Sequence, residues 1–555
     1  MDSALEDLRR HADAWIRVSV EQRIELIDGM MRRGHAVARR QVEAAIEAKG
    51  LIAGTPQEAE EWLGGPVCQL RVMRLLRQSL IQIRDHGAVV IPPGRIRTRP
   101  DGQVKVEVFP VSLLDRILHT GFRAEIWMEP DVTPENLPEH VASAYRDPGR
   151  GGKVSLVLGA GNVSSIGVLD AFHKLFTENQ VVLFKLNPIN EYLGPFIEEV
   201  YGELIDAGFV RMAYGGADVG EYLCAHAAVD EIHITGSGIT HDRIVFGAGE
   251  EGAARKARNE PRLQKRITSE LGNVSPVIIV PGRWSRDHLQ YHAENIATQM
   301  TQNGAFNCNA TKLLILHEDW PQRDAFLGAL RRTLRALPPR PAYYPGAEDR
   351  FEQFIGAHPR AEHLGERAPG VVPPTLLPDL DPSRADTLAF TTESFCAVTG
   401  QTALPGRDAD AFLSNAVQFC NQTLFGTLNA GIIIHPAVAA GLGGGLEDHI
   451  ASLRYGSVAV NHWPAISFAL GVTSWGAYPG HRLDDIQSGI GSVHNTMLFD
   501  RPQRSVVTGP FRMRPKPPWF STHRRGHHVA ALLAGLELDP GPRHLPRIFF
   551  HALRP

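Results

Sequence analysis

Short apolar runs alternate with stretches of helical periodicity through the middle of the chain. The runs at 153–158, 181–184 and 231–234 have the length of buried strands, and the segments at 167–177 and 192–207 have apolar positions at helical spacing. Strands separated by helices of this length are typical of a parallel, doubly wound sheet. Such sheets bind ligands at the carboxyl ends of their strands, so we expect functional residues to follow these runs.

A second region of the same kind occupies the later half of the chain. It has predicted strands at 313–316, 430–434 and 458–460 and a predicted helix at 411–421. The segment at 337–386 is rich in proline and has little periodicity, which predicts a long surface excursion. The pattern as a whole predicts an α/β fold with two doubly wound αβ domains.

The regions outside these two domains follow other patterns. Helical spacing predicts an N-terminal layer with helices at 19–49 and 66–86. The next segment predicts a β-arm, with strands at 89–91, 104–108 and 124–128 and one helix at 113–118. From Arg501 the chain is rich in proline and arginine, with one more predicted helix near 528–536.

Composition narrows the class of protein. The 555 residues are 43% hydrophobic and 21% charged, as expected for a globular enzyme of two or three domains. A net charge of -4 argues against nucleic-acid binding. No run of 18 apolar residues predicts a membrane span, and the 24 histidines form no motif that predicts a metal site. The N-terminal sequence lacks a signal-peptide layout, and the five cysteines are scattered, so we expect a cytoplasmic protein.

One cysteine has an unusually polar setting. Cys308 follows Gly304, is flanked by Asn307 and Asn309, and lies between a predicted helix and the strand at 313–316. A side chain at such a junction can face a cleft, and a thiolate is a strong nucleophile. The alternative is a half-buried structural thiol, because most single cysteines are inert.

Three further motifs accompany Cys308 in a characteristic order. They are Thr235-Gly236-Ser237 and Glu270-Leu271-Gly272 before it, and Glu393-Ser394-Phe395 after it. In this order the four pieces resemble the aldehyde dehydrogenase superfamily over about residues 19–490. The resemblance implies Cys308 as nucleophile and Glu270 as general base. It also implies that Gly236 and Ser237 form a cofactor turn, while Glu393 and Phe395 contact the nicotinamide end of the cofactor.

Asn162 is the candidate residue after the first strand. Gly159-Ala160-Gly161 is an incomplete dinucleotide motif, because Ser164 stands where a third glycine is expected. The resemblance instead implies that Asn162 donates its side-chain amide to the substrate oxygen, together with the backbone N–H of Cys308. These donors would form an oxyanion hole. The alternative is that Asn162 only forms the turn.

Lys185 ends the strand at 181–184, where an ammonium group can point into the ligand crevice. The resemblance implies that it donates to the adenosine ribose, whereas the alternative is a lysine that only solvates the strand end. Relatives that prefer NAD often carry a glutamate three residues on, where this chain has Pro188. We therefore expect either NAD or NADP as cofactor.

The sequence also departs from the family pattern. The usual Pro-Trp pair before Asn162 is missing, Ala305-Phe306 replaces Gly-Gln before the cysteine, and Cys396-Ala397 replaces Gly-Pro after the phenylalanine. We expect a divergent member. The implied domains are cofactor-binding at 1–90 and 150–265 with 440–480 returning to it, an oligomerisation arm at 91–149, and catalytic at 266–439. The extension at 490–555 has no assigned role, and the basic segment at 247–266 predicts a solvated charged loop.

The implied activity is NAD(P)-dependent oxidation of an aldehyde to a carboxylic acid through a thiohemiacetal and a thioester on Cys308. Water activated by Glu270 would hydrolyse the thioester. The alternatives are an acyl-CoA or fatty-acyl reductase of the same superfamily and a non-catalytic relative. Glu270 disfavours the reductase, since CoA-dependent relatives generally lack a base there. The resemblance also implies a homodimer or homotetramer. The identity of the aldehyde is left open by the sequence.

Overall fold

A computed structural model describes residues 1–147, 149 and 151–555. Arg150, where the cofactor-binding domain is predicted to resume, lies outside the described residues. Within the described ranges, no helix is long and apolar enough to cross a membrane. In the same ranges, His, Cys, Asp and Glu side chains form no group of three or more that could hold a metal ion.

The strands and helices are numbered in chain order. The strands are β1 (Ile96–Thr98), β2 (Val104–Phe109), β3 (Arg123–Met128), β4 (Val154–Leu158), β5 (Val181–Lys185), β6 (Val210–Ala213), β7 (Glu231–Gly236), β8 (Arg266–Leu271), β9 (Pro276–Ile279), β10 (Leu313–His317), β11 (Glu362–His363), β12 (Thr375–Leu380), β13 (Val398–Leu404), β14 (Asn429–Ile433), β15 (Ser457–Val460), β16 (Ser474–Gly476), β17 (Gly489–Ile490), β18 (Ser492–His494) and β19 (Pro502–Thr508). The α-helices are α1 (Asp2–Arg17), α2 (Val20–Lys49), α3 (Pro56–Trp62), α4 (Cys68–His86), α5 (Leu113–Leu118), α6 (Ile166–Phe176), α7 (Gly194–Val200), α8 (Gly202–Asp206), α9 (Ala217–Ala225), α10 (Gly238–Phe246), α11 (Gly249–Ala257), α12 (Arg286–Thr301), α13 (Arg323–Ala336), α14 (Ala347–Ala357), α15 (Leu388–Thr391), α16 (Ala409–Thr423), α17 (Pro436–Leu442), α18 (Gly445–Ser452), α19 (Ala465–Leu470), α20 (Gly526–Leu538) and α21 (Leu545–Ala552).

The smaller of the two main sheets has the strand order β17-β8-β7-β4-β5-β6. All of its strands except β17 run parallel to one another. Every residue of β5 is buried, as expected for a strand covered on both faces. Helices α1 and α6 pack against this sheet. The predicted parallel α/β architecture is therefore confirmed for this part of the chain.

The larger sheet has the order β1-β2-β3-β19-β15-β14-β9-β10-β13-β12-β11. Its central strands run parallel, and the strands from β1 to β3 join one side through the antiparallel pair of β3 with β19. The strands predicted as an arm thus continue a sheet of the same chain. The strand predicted at 89–91 is wrong, because Pro92 and Pro93 follow it and the chain enters a short helical turn instead.

Several strands of the larger sheet, among them β12 and β19, were not predicted. β12 lies inside the segment predicted as a surface excursion, where Pro378 and Asp379 interrupt the apolar pattern. β19 lies in the proline- and arginine-rich tail, and its buried Arg504 donates to the backbone oxygen of Leu453 at 2.6 Å. Backbone acceptors at the C-terminal end of α18, distant in sequence, therefore satisfy a charged side chain that the sequence pattern assigns to solvent.

Two boundary predictions also differ from the structure. β15 belongs to the larger sheet, so its part of the predicted return of 440–480 to the cofactor-binding domain is wrong. The segment predicted as a charged loop at 247–266 contains α11, whose side chains are mostly exposed. Both differences arise because the sequence pattern indicates local periodicity but not the partner of an element.

The C-terminal extension is integrated into the fold through α20. This helix packs against α3, α4 and α21. The buried Glu537 of α20 accepts from Arg71 at 3.0 Å and from Arg74 at 2.6 Å, both of which belong to α4. Arg71 also pairs with Asp115 of α5 at 3.1 Å. A buried ion network therefore connects α4, α5 and α20.

Candidate active site

The carboxyl ends of the smaller sheet open onto a cleft of about 1460 Å³. We call it the front cleft. All eight residues predicted for the site line it: Asn162, Lys185, Gly236, Ser237, Glu270, Cys308, Glu393 and Phe395. They come from loops and strand ends separated by more than two hundred positions in the sequence. The structure therefore brings together every residue predicted for the site, while their individual roles remain proposals.

Cys308 lies directly opposite Glu270. Its thiol Sγ donates to Glu270 Oε1 at 3.3 Å. The backbone before Cys308 reverses at Asn303 and Gly304, which both have positive φ, and a Cβ on Gly304 would meet the ring of Phe306 at 2.7 Å. Glycine is therefore needed at this turn. After this turn, and before β10 begins, the Cys308 side chain lies in the wall of the front cleft.

The environment of Cys308 and Glu270 raises the pKa of both groups. Burial, followed by the charges of Glu270 and Glu393, raises the pKa of the Cys308 thiol well above its usual range. Burial, followed by the charge of Asp170, raises the pKa of Glu270 to about 7. Within the described chain, Oε2 of Glu270 has no hydrogen-bond partner. A carboxyl group with this pKa can exchange protons with a thiol or a water near neutral pH.

Asn162 is hydrogen-bonded beside the loop that carries Cys308. Its side-chain nitrogen Nδ2 donates to the carbonyl oxygen of Phe306 at 2.7 Å. Its own carbonyl oxygen accepts from Asn303 Nδ2 at 2.9 Å, from Tyr343 at 2.9 Å and from Lys49 Nζ at 3.2 Å. An amide group carries two N–H donors, so one remains for an oxygen in the cleft. Tyr343 and Lys49 were missed by the sequence analysis because they are distant in sequence and belong to no motif.

Glu393 packs against the backbone of Gly272. A Cβ on Gly272 would lie 1.7 Å from Glu393 Oε2, so only glycine fits there. Burial is the largest influence on the pKa of Glu393, which is raised, although Lys312 and Arg350 act in the opposite direction. Oε1 of Glu393 has no hydrogen-bond partner in the described ranges. This orphaned buried acceptor fits a ligand that carries hydroxyl groups, such as a ribose.

Lys312 is a buried positioning residue that the sequence analysis did not assign. Its Nζ donates to the backbone oxygens of Ala305 and Cys396, each at 3.0 Å. Burial lowers its pKa. Lys312 therefore ties the loop that carries Cys308 to the loop that carries Phe395. Lys312 stands four residues after Cys308 and directly before an apolar strand, and this position was the sequence feature that could have indicated its role.

The other end of the front cleft has features of a phosphate and ribose site. Lys185 is buried at the end of β5, and burial lowers its pKa. Ser237 caps α10, its Oγ accepting from Thr240 N at 3.2 Å, so the helix N-terminus faces the cleft beside Gly236. Helix N-termini attract phosphate groups. The donor set, together with the orphaned Glu393 oxygen, fits a dinucleotide.

Basic side chains from the segment at 247–266 also line this end. They are Lys256, Arg262 and Lys265. From the sequence, this segment was predicted to be a solvated loop. The density of basic residues between β7 and β8 was the feature that could have indicated a binding role. Positive charge at the end of the front cleft near Lys185 is compatible with the additional phosphate group that distinguishes NADP from NAD.

A second cavity of about 980 Å³ meets Cys308 from the other side, and we call it the rear chamber. Asn162, Ile166 and Cys308 line both cavities. Its walls come from the N-terminal helices, from α5 and α19, and from the C-terminal extension. Cys308 therefore lies at the junction of two cavities of different composition.

The structure combines a two-sheet α/β fold with a cysteine and a carboxylate that face each other in a cleft that fits a dinucleotide. Residues 165–348 match the model of the aldehyde dehydrogenase family, so this segment of the chain is similar to that family.

Among curated relatives, 4-trimethylaminobutyraldehyde dehydrogenase A of Danio rerio is 28% identical over 142 residues, which cover 25% of each chain. The Homo sapiens 4-trimethylaminobutyraldehyde dehydrogenase is 28% identical over 138 residues, again 25% of each chain. The match thus spans about a quarter of the length of these relatives.

Solved structures resemble the chain over most of its length. NADP-dependent glyceraldehyde-3-phosphate dehydrogenase from Bacillus halodurans, complexed with NADP, has a TM-score of 0.59 at 16% identity, covering 92% of this chain and 90% of that one. NAD-dependent aldehyde dehydrogenase from Sinorhizobium meliloti has a TM-score of 0.58 at 17% identity, covering 91% and 85%. These similarities confirm the fold.

Proposed function

We propose that the protein oxidises an aldehyde to a carboxylic acid with NAD or NADP as acceptor. The observation that carries the proposal is the contact of Cys308 Sγ with Glu270 Oε1 at 3.3 Å, in a cleft that also contains Asn162. The match of residues 165–348 to the aldehyde dehydrogenase family and the similarity to curated aldehyde dehydrogenases support it. In the balanced reaction, an aldehyde, water and the oxidised cofactor give a carboxylic acid, the reduced cofactor and a proton.

The first covalent step is attack on the aldehyde by Cys308. The thiol is protonated and donates to Glu270, so Glu270 is placed to take its proton as the sulfur–carbon bond forms. The carbonyl oxygen then gains negative charge. The second N–H of Asn162 and the backbone N–H of Cys308 would stabilise that charge, and losing one such donor typically costs about 3 kcal/mol of transition-state stabilisation.

The second covalent step releases the product. A nicotinamide cofactor would supply the hydride acceptor that converts the Cys308 adduct to a thioester. Lys185, Ser237 and Glu393 would hold that cofactor. Glu270, with a pKa of about 7, would then take a proton from water, whose oxygen attacks the thioester carbon and releases the Cys308 sulfur.

An aldehyde panel assayed with each cofactor tests this proposal. We expect reduced cofactor and the matching carboxylic acid to form in equal amounts, without added CoA. A reaction that proceeds only with CoA would replace the proposal by an acyl-CoA reductase. Binding of dinucleotide without oxidation of any aldehyde in the panel would favour a non-catalytic relative.

A further inference from the structure

We propose that the rear chamber is a substrate chamber for aldehydes that carry an extended apolar tail. The inference rests on the proposed function, because it places the aldehyde carbon at Cys308. It adds the substrate class, which neither the family match nor the front cleft defines. The observations that carry it are the position of the chamber, the chemistry of its walls and its size.

The position of the chamber fits a substrate rather than a cofactor. Cys308 and Asn162 line both cavities, whereas Lys185, Ser237 and Glu393 line the front cleft alone. A molecule in the rear chamber therefore reaches the sulfur and the amide donor of Asn162. It does so without occupying the end of the cleft that fits a dinucleotide.

The walls of the chamber are apolar over most of their extent. Representative lining side chains are Val67, Leu118, Phe468, Met513, Leu533 and Phe549. They come from the N-terminal layer, from α5, from α19 and from the C-terminal extension. A tail that binds here is recognised by removal of apolar surface from water, which requires length or bulk rather than polar groups.

The buried charges in the walls are already paired. Arg71 pairs with Asp115 at 3.1 Å and with Glu537 at 3.0 Å. Lys49 pairs with Glu61 at 2.8 Å. A charged substrate end would have to compete with these contacts in a buried setting, so the chamber favours a neutral tail.

Two half-buried cations of the lining are also paired, Arg512 with Asp287 at 2.9 Å and Lys516 with Glu294 at 2.7 Å. Two further arginines of the lining, Arg116 and Arg514, are exposed. Water screens their charge, so they offer little selectivity for an anionic substrate end. They do not alter the preference for a neutral tail.

The volume also fits a long substrate. The chamber measures about 980 Å³, near the upper end of the roughly 300–1,000 Å³ that ligand pockets occupy. A short aldehyde would fill little of it. Each further methylene that becomes buried should improve binding by up to about fourfold.

The C-terminal extension acquires a role from this inference. Helix α20 supplies Leu533 and Leu536 to the wall, and Glu537 fastens that helix to α4. These residues lie outside the segment at 165–348 that matches the family model. The proposed substrate preference therefore depends on residues outside that segment.

The test compares straight-chain aldehydes from propanal to dodecanal with the complete protein and its preferred cofactor. We expect kcat/KM to rise at least about 100-fold across the series, given partial burial of each methylene. A flat or falling series would overturn the inference while leaving the proposed function intact. A preference for a short aldehyde with a terminal carboxylate would overturn it as well.

A matched pair of variants locates the effect. Leu533 lines the chamber, whereas its neighbour Leu532 on the same helix is half-buried but does not line it. Leu533→Gln should lower kcat/KM for dodecanal about tenfold or more and leave propanal within about twofold. Leu532→Gln should leave the ratio of the two aldehydes unchanged. Equal changes of that ratio in both variants would contradict the assignment.

A binding measurement separates failure of this inference from failure of the proposed function. Decanamide and acetamide are unreactive neutral analogues, and their binding needs no turnover. If the chamber is assigned correctly, the protein binds decanamide at least about 100-fold more tightly than acetamide, and Leu533→Gln removes most of the difference. Equal binding of the two amides would overturn the inference whether or not any aldehyde is oxidised.

Discussion

The front cleft and the rear chamber meet at Cys308 but differ in how they are built. The cleft is formed by turns and strand ends rich in glycine and polar residues, and much of it lies within the segment that matches the family model. The chamber is formed by apolar faces of helices from both ends of the chain. The comparison indicates that the proposed chemistry depends on short motifs, whereas the proposed substrate preference depends on the packing of helices.

The largest expected effect removes the residue that the two cavities share. Cys308→Ala should lower the rate of aldehyde oxidation by about 10³-fold or more, because no thiolate remains to form the covalent intermediate. Dinucleotide binding should change by less than about threefold. Cys420→Ala is the matched control, since Cys420 is buried in the core away from both cavities. Comparable turnover in Cys308→Ala would exclude it as the nucleophile.

The next largest effect concerns Glu270, which lines the front cleft opposite Cys308. Glu270→Gln should lower steady-state turnover by about 10²–10⁴-fold, because an amide cannot take a proton from the hydrolytic water. The first turnover should still yield one equivalent of reduced cofactor per chain, although more slowly than in the unaltered protein, because the Cys308 thiol loses its proton acceptor as well. Added CoA should not restore turnover. Normal turnover in this variant would remove Glu270 from the hydrolytic step.

A stability measurement sharpens the comparison on the chamber side. Glu537→Leu leaves Arg74 without its buried partner and should lower the free energy of unfolding by about 3 kcal/mol. Glu260→Leu breaks the exposed pair with Arg258 and should cost less than about 1 kcal/mol. Urea denaturation of both variants gives the comparison. Equal effects would mean that the extension is not fastened to the core through Glu537.

A cofactor titration examines the far end of the cleft. Lys185→Met should weaken binding of NAD and NADP about tenfold, since it removes a charged donor. Lys153→Met, just before β4 at the opposite end of the same sheet, should change neither. In the unaltered protein, preference between the cofactors should stay below about a thousandfold, or about 4 kcal/mol. A stronger preference for NAD would show that another carboxylate contacts the adenosine ribose and excludes NADP.

The smallest effect is a pH dependence. Glu270 must be deprotonated to accept a proton, and its pKa is about 7. Turnover limited by hydrolysis should therefore fall about tenfold between pH 8 and pH 6. Glu270→Gln should show no such fall over this range. An unchanged pH profile in the variant would assign the titration to another group.

The sequence predicted most strands of the smaller sheet and the eight candidate residues that line the front cleft, because glycine turns and apolar runs are local signals. β19 was missed since its buried Arg504 is satisfied by carbonyl groups at the C-terminal end of α18, distant in sequence. Lys49 and Tyr343 were missed for a similar reason, as both reach Asn162 only in the folded chain. The rear chamber could not be predicted, because its walls are helix faces whose partners no local pattern specifies.

The most direct test of the account is the mass of Glu270→Gln after mixing with cofactor and an aldehyde. The account predicts one acyl group per chain, attached to the peptide that contains Cys308, and no such group in Cys308→Ala. An acyl group on another residue would contradict the account. So would the absence of any acyl group in the variant while the unaltered protein turns over.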